Sequence, residues 1–96
     1  MMIRDFRKWH EQNPEQLGRL NLRITKIYMN KNKSIVYSGE HPNYSFSYTI
    51  RDTGSVEMNV KRISDGETAF DLSLMVTKRI DPQLVMDLFL AFFKEQ

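Results

Sequence analysis

Ninety-six residues with no cysteine make one domain, residues 1–96, with a modest core, and exclude a disulfide framework, a thiolate nucleophile and a zinc–thiolate site. The formal net charge of +2 says little, but its distribution says more. Residues 1–38 carry eight basic side chains against three acidic ones, a net +5, and residues 39–96 carry six against nine, a net −3. Such asymmetry suits a polyanionic or acidic partner, or else reflects separate elements with different surface charge.

In chain order, Ile3, Phe6, Trp9 and His10 recur at helical spacing, with Arg4, Arg7, Lys8 and Glu11 opposite. The pattern predicts an amphipathic helix over 3–12 with a basic outer face. The apolar start, Met1 to Ile3, runs straight into Arg4 and Asp5, which is not a secretory signal. Asn13-Pro14-Glu15-Gln16 reads as a fresh helical start, with Asn13 as cap and Pro14 at the first position, and Gly18 stops it within a turn. Leu20, Leu22 and Ile24 then alternate with polar residues as a strand does. The apolar parity shifts afterwards to Ile27 and Met29, which predicts a bulge near Thr25-Lys26 or a strand end covered on both faces. Asn30 to Lys33 is a polar turn, Ser34 to Ser38 a short strand, and Gly39 to Asn43 a loop.

Three strands follow, built on Tyr44/Phe46/Tyr48/Ile50, Val56/Met58/Val60 and Phe70/Leu72/Leu74/Val76. Three-residue loops at 52–54 and 64–66, each with glycine third, fit a left-handed last position. They pair Tyr48 with Met58 and Met58 with Leu72, and set Lys61 against Ala69 on the other face. Every large apolar side chain then lies on one side, which a one-residue slip would destroy.

The last element starts at Asp81, a helix cap, and Pro82, suited to the first helical position. Leu84, Val85, Leu88, Ala91 and Phe92 share one face, enough to cover a sheet. Met86, Phe89 and Phe93 widen the apolar arc to about two-thirds of the circumference, beyond the usual stripe. That surplus, with Leu90 at its edge, packs against Phe6 and Trp9 or forms a partner or homodimer seam. Gln83, Asp87 and Lys94 form a polar strip, and the apolar run is too short to span a bilayer. The fold expected is α+β: an antiparallel meander of about five strands flanked by an N-terminal and a C-terminal helix, the latter packed across one sheet face.

Chemistry-bearing motifs are sparse. Glu57 and Asp71 fall on a diagonal of the polar sheet face, but a flat face lacks the concavity and further ligands of an acid–base or metal site. His10 reads as a boundary residue and His41 as a loop surface residue, without metal-ligand spacing between them. No nucleophile elbow or phosphate-cradling glycine loop is present. The expectation is therefore a cytoplasmic, non-catalytic interaction module with no metal and no cofactor. A small inhibitor or adaptor of the kind mobile elements encode would look like this. The partner surface combines Arg4, Arg7, Lys8, Arg23 and Lys33 with Met86, Phe89 and Phe93. The alternative is a nucleic-acid-binding protein using the basic N-terminal third.

Overall fold

Alternation at every second residue builds one sheet, and three apolar rows cross it from edge to edge. The computed structural model describes residues 2–31, 33–76 and 81–95. The strands are β1 (Arg23–Asn30), β2 (Ser34–His41), β3 (Tyr44–Arg51), β4 (Ser55–Arg62) and β5 (Thr68–Met75), antiparallel in the order β1-β2-β3-β4-β5. One row runs Met29–Ile35–Ile50–Val56–Leu74, the next Ile27–Tyr37–Tyr48–Met58–Leu72, and the third Ile24–Gly39–Phe46–Val60–Phe70. Two helices, α1 (Met2–Gln12) and α3 (Pro82–Lys94), provide the second layer, with the short α2 (Pro14–Gly18) beside α1. The expected α+β architecture and the predicted 48/58 and 58/72 pairings are present.

The β1–β2 register shifts between Ile24 and Lys26. The extra residue, Thr25, restores parity, so Ile24 and Ile27 both lie on the helix-covered side. Leu20 and Leu22 precede the strand rather than start it. The Leu17 carbonyl accepts from both of their amides, and Asn21 turns the chain with φ +60°.

Gly39 does not open a loop. β2 runs on through His41, and the connection shrinks to Pro42-Asn43. The cause is a ring: a Cβ on Gly39 would lie 2.5 Å from the Phe46 ring and 2.2 Å from the Arg23 carbonyl oxygen. This glycine lets an aromatic cross-strand neighbour lie flat over the backbone. Gly54 does occupy a turn, with φ +103°, and a Cβ there would come 2.3 Å from the Val76 carbonyl oxygen. Between β4 and β5 the apolar pairs are as predicted, but Lys61 faces Thr68, not Ala69. The Arg62 amide donates to the Glu67 carbonyl at 2.9 Å, and Asp65 accepts from the Glu67 amide at 3.0 Å. That side-chain turn lengthens the loop to 63–66 and leaves Ala69 as a bulge.

Asp81 caps α3, its carboxylate accepting from the Gln83 amide at 2.9 Å. The face of α3 turned inward differs from the expected one. Val85, Met86, Phe89, Leu90 and Phe93 are buried, whereas Leu84 and Leu88 are 58% and 49% exposed. Phe89 lies 4.9 Å from the Tyr48 ring and 5.3 Å from Phe46, and Phe93 lies 6.0 Å from Phe46. Two phenylalanines and a methionine bury more apolar area than two leucines and an alanine, so the bulkier arc faces the sheet. Met86, Phe89 and Phe93 therefore belong to the core and are not a partner surface.

Three substitutions test the row assignment. Met58→Ala, at the centre of the middle row, should cost about 2–5 kcal/mol, and Gly39→Ala about 1–3 kcal/mol as an overpacked contact. Ser73→Ala, on the open face, should stay within about 0.5 kcal/mol. Urea melts that ranked Ser73→Ala above either would contradict the register.

Candidate interaction groove

Helix α1 lies on the sheet by Ile3, Phe6 and Trp9, all buried, which leaves Arg4, Arg7, Lys8 and Glu11 exposed. It is held at three points. At its start, the Ile3 amide, an otherwise unpartnered donor of the first helical turn, donates to Asp52 Oδ1 at 3.2 Å. At its end, Trp9 Nε1 donates to Gln83 Oε1 at 2.9 Å, and Gln83 exchanges amide hydrogen bonds with Gln16. Asn13, expected to cap α2, instead donates from Nδ2 to the Trp9 carbonyl at 2.9 Å. It thereby satisfies a carbonyl in the last turn of α1.

The third hold is His10. Its ring stacks on Tyr37 at 3.9 Å; Nδ1 lies 2.7 Å from the Phe6 carbonyl oxygen and Nε2 lies 2.6 Å from the Tyr48 hydroxyl. A carbonyl only accepts, so Nδ1 carries the proton and Nε2 accepts from Tyr48. Burial lowers the His10 pKa, opposed in part by the Phe6 hydrogen bond. Burial also pushes the Tyr37 phenol up to about 12 and the Tyr48 phenol well above its ordinary range. All three groups are neutral struts at neutral pH.

With α1 fixed in this way, a furrow runs between it and the edge strand β1. Its wider part, about 570 Å³, is lined by Arg4, Arg7, Lys8 and Glu11 on the helix side and Met29 and Lys33 on the other. A second hollow, about 350 Å³, lies at the other end of β1, lined by His10, Leu17, Arg23, Ile24 and Ile27 among others. Four of the five basic residues expected to form a stripe thus converge. Arg7 Nη1 lies 3.9 Å from Met29 Sδ. Arg23 stands apart at the far end and is ion-paired across the strands with Glu40.

The sequence reading missed the apolar half of this site. Ile27, Tyr28 and Met29 are 59%, 53% and 52% exposed, consecutive on both faces of an eight-residue edge strand. Two successive rows end here without a helix above them. The available signal was the parity shift, which left an apolar triplet in a strand otherwise rich in charge. Lys33 is unusual in a different way. It takes φ +55° in the turn between β1 and β2, a left-handed conformation that costs a non-glycine residue about 1–2 kcal/mol.

The other sheet face is open and polar. Glu57 is paired with Arg51 at 2.5 Å, and Asp71 faces Asn59. Among the described residues, no group of three or more His, Asp or Glu side chains gathers as metal ligands, and no helix is long and apolar enough to cross a membrane. His41 is not a loop residue: it ends β2, half-buried, 5.3 Å from the Phe93 ring.

The His10 strut has a pH signature. Its folded-state pKa lies below the ordinary 6.5, so the unfolded chain takes up the proton first. The His10 contribution is intact above pH 6.5, is lost as pH falls below it, and levels off under the folded-state pKa. His41, also lowered by partial burial, adds to the same slope. Urea melts from pH 7.5 to 5 should show falling stability, and His10→Gln should flatten that fall. An equal slope in the variant would remove His10 from the account.

No protein-family model matches the chain, and no curated protein matches it.

Proposed function

We propose that the protein is a non-catalytic binding module that takes an acidic, extended segment of a partner protein along β1. The observation that carries this reading is the pairing of an exposed apolar edge strand with a basic wall. An edge strand presents a row of free backbone donors and acceptors, which an extended peptide can complete as a sixth strand. Side chains on one face of that added strand would enter the furrow, where Ile27 and Met29 offer apolar contact. Arg4, Arg7, Lys8 and Lys33 would meet carboxylates, the arginines by bidentate hydrogen bonds and the lysines as point charges.

Charge selects against the other occupants of this edge. β1 carries Arg23 and Lys26 and no acidic residue, so antiparallel pairing with its own copy would gather cations from both copies with no carboxylate to meet them. A nucleic acid would meet the four basic residues, but also Glu11 and the apolar Met29. The open sheet face, where Tyr28 is the aromatic among the described residues, lacks the two or three stacking rings of single-strand-binding sheets. An inhibitor or adaptor role suits such a module, since occupying a partner's segment requires no chemistry.

The test uses a labelled peptide of alternating Glu and Val, its Lys–Val counterpart, and a random 20-base single strand and duplex. The Glu–Val peptide should bind, the Lys–Val peptide should not, and reversing Arg4, Arg7 and Lys8 to Glu should weaken binding at least tenfold at low salt. The melting curve should barely move, since exposed charges contribute little to folding. Tighter binding to DNA with a steep salt slope would favour the nucleic-acid reading instead.

Lys33→Gly probes the strained corner of the site. Relief of the left-handed penalty, about 1–2 kcal/mol, should outweigh the entropic cost of glycine, roughly 0.5–1 kcal/mol. Stability should hold or rise while peptide affinity falls. A variant that is both less stable and equally tight would separate Lys33 from the site.

A further inference from the structure

The outer side of α3 carries a second surface, which does not depend on the β1 reading. Leu84, Leu88 and Ala91 recur at spacings of four and three, so they form one stripe. All three are exposed, the leucines by about half their surface. One flank of the stripe is apolar: Phe92 is half-buried 5.5 Å from the Phe70 ring, and Leu72 and Leu74 of β5 continue as half-buried side chains. The other flank is charged, with Asp87 and Lys94 exposed there. They sit seven residues apart, about 10 Å along the axis. Gln83 Nε2 donates to Asp87 Oδ1 at 2.8 Å and orients the carboxylate.

We infer that this stripe is a homodimer seam, in which α3 packs antiparallel on α3 of a second copy about a two-fold axis. The self-complementary charge pattern singles out a second copy. A two-fold axis perpendicular to a pair of antiparallel helices brings each flank against the same flank of its mate. Asp87 of each copy then meets Lys94 of the other, giving two identical ion pairs. The axis passes close to Ala91, whose small side chain permits close approach, and Leu88 of each copy packs beside it. A parallel arrangement would instead set the charged flank of each copy against the apolar flank of the other, leaving Asp87 and Lys94 without their mates. An isologous seam needs one patch that complements itself, and the Asp87–Lys94 flank does so in charge. The half-buried row ends of β5 extend the apolar area toward the roughly 1,000 Å² total that a stable interface requires. The seam lies beside β5, at the opposite sheet edge from β1, and so leaves the furrow open.

Sedimentation equilibrium from 1 to 200 µM tests the inference. The wild type should be a dimer within that range. Leu88→Glu should raise the dimer dissociation constant at least tenfold with its circular dichroism unchanged. Asp87→Lys should weaken the dimer, and adding Lys94→Asp to it should restore association to near the wild-type level, because the exchanged charges pair again across the axis. The swap also decides the matter if Leu88→Glu does not fold. A wild type that stays monomeric at 200 µM would overturn the seam. So would a dimer indifferent to Leu88→Glu, or a double variant no tighter than Asp87→Lys.

Discussion

Three apolar rows cross five strands, and the helices bury the rows fully only across β2, β3 and β4. The rest of the molecule follows from that mismatch. Hydrophobic burial drives the covered part, where Ile35, Ile50, Val56 and Val60 are closed to solvent. The same register that makes the core continuous carries apolar side chains out to both sheet edges. At β1 the row ends are Ile27 and Met29, and at β5 they are Leu72 and Leu74, half-buried. Register leaves no freedom to hide them, since a slip that turned Ile27 away would turn the whole strand's core set with it.

The two uncovered margins differ in charge. Beside β1 stand cationic side chains from α1 and from the following turn. At the other margin, the outer side of α3 carries an apolar flank toward β5 and acid and base together on the flank away from it. An edge of one sign repels its own copy and attracts the opposite sign, whereas a mixed flank can complement itself. In the proposed reading the first margin serves a different protein and the second a second copy. α1 is suited to the first task because it is fixed before any partner arrives: Asp52 at one end, Gln83 and Asn13 at the other, and His10 stacked on Tyr37 between them. Basic groups held in place lose less conformational entropy on binding than groups on a mobile helix would.

Much of the fold was legible in the sequence because period-two alternation and turn residues speak directly about backbone geometry. Tyr44 to Ile50 and Val56 to Val60 could be paired from parity and a three-residue loop, and the shift after Ile24 pointed to a bulge at Thr25-Lys26 or a covered strand end, of which the bulge is present. Legibility failed where a tertiary neighbour decides. Gly39 reads as a turn residue until the Phe46 ring is found lying over it. Asn13 reads as a cap until its amide is found on the Trp9 carbonyl. The facing of α3 was reversed because its apolar arc covers most of the helix, and a nearly continuous arc does not say which part turns inward. The volume of Phe89 and Phe93 against Tyr48 and Phe46 settles that. The basic half of the furrow was visible as a charge run, and its apolar half was not, because exposure at a sheet edge depends on how far the helices reach.

The central proposal, that β1 is the edge a partner completes, is tested most directly by hydrogen exchange of the backbone amides with and without the Glu–Val peptide. A peptide added as a sixth strand occupies the outward-facing donors of β1. New protection is expected at alternate residues between Ile24 and Met29, with β5 amides unchanged. Protection confined to β5, or peptide binding that leaves β1 exchanging at its free rate, would contradict it.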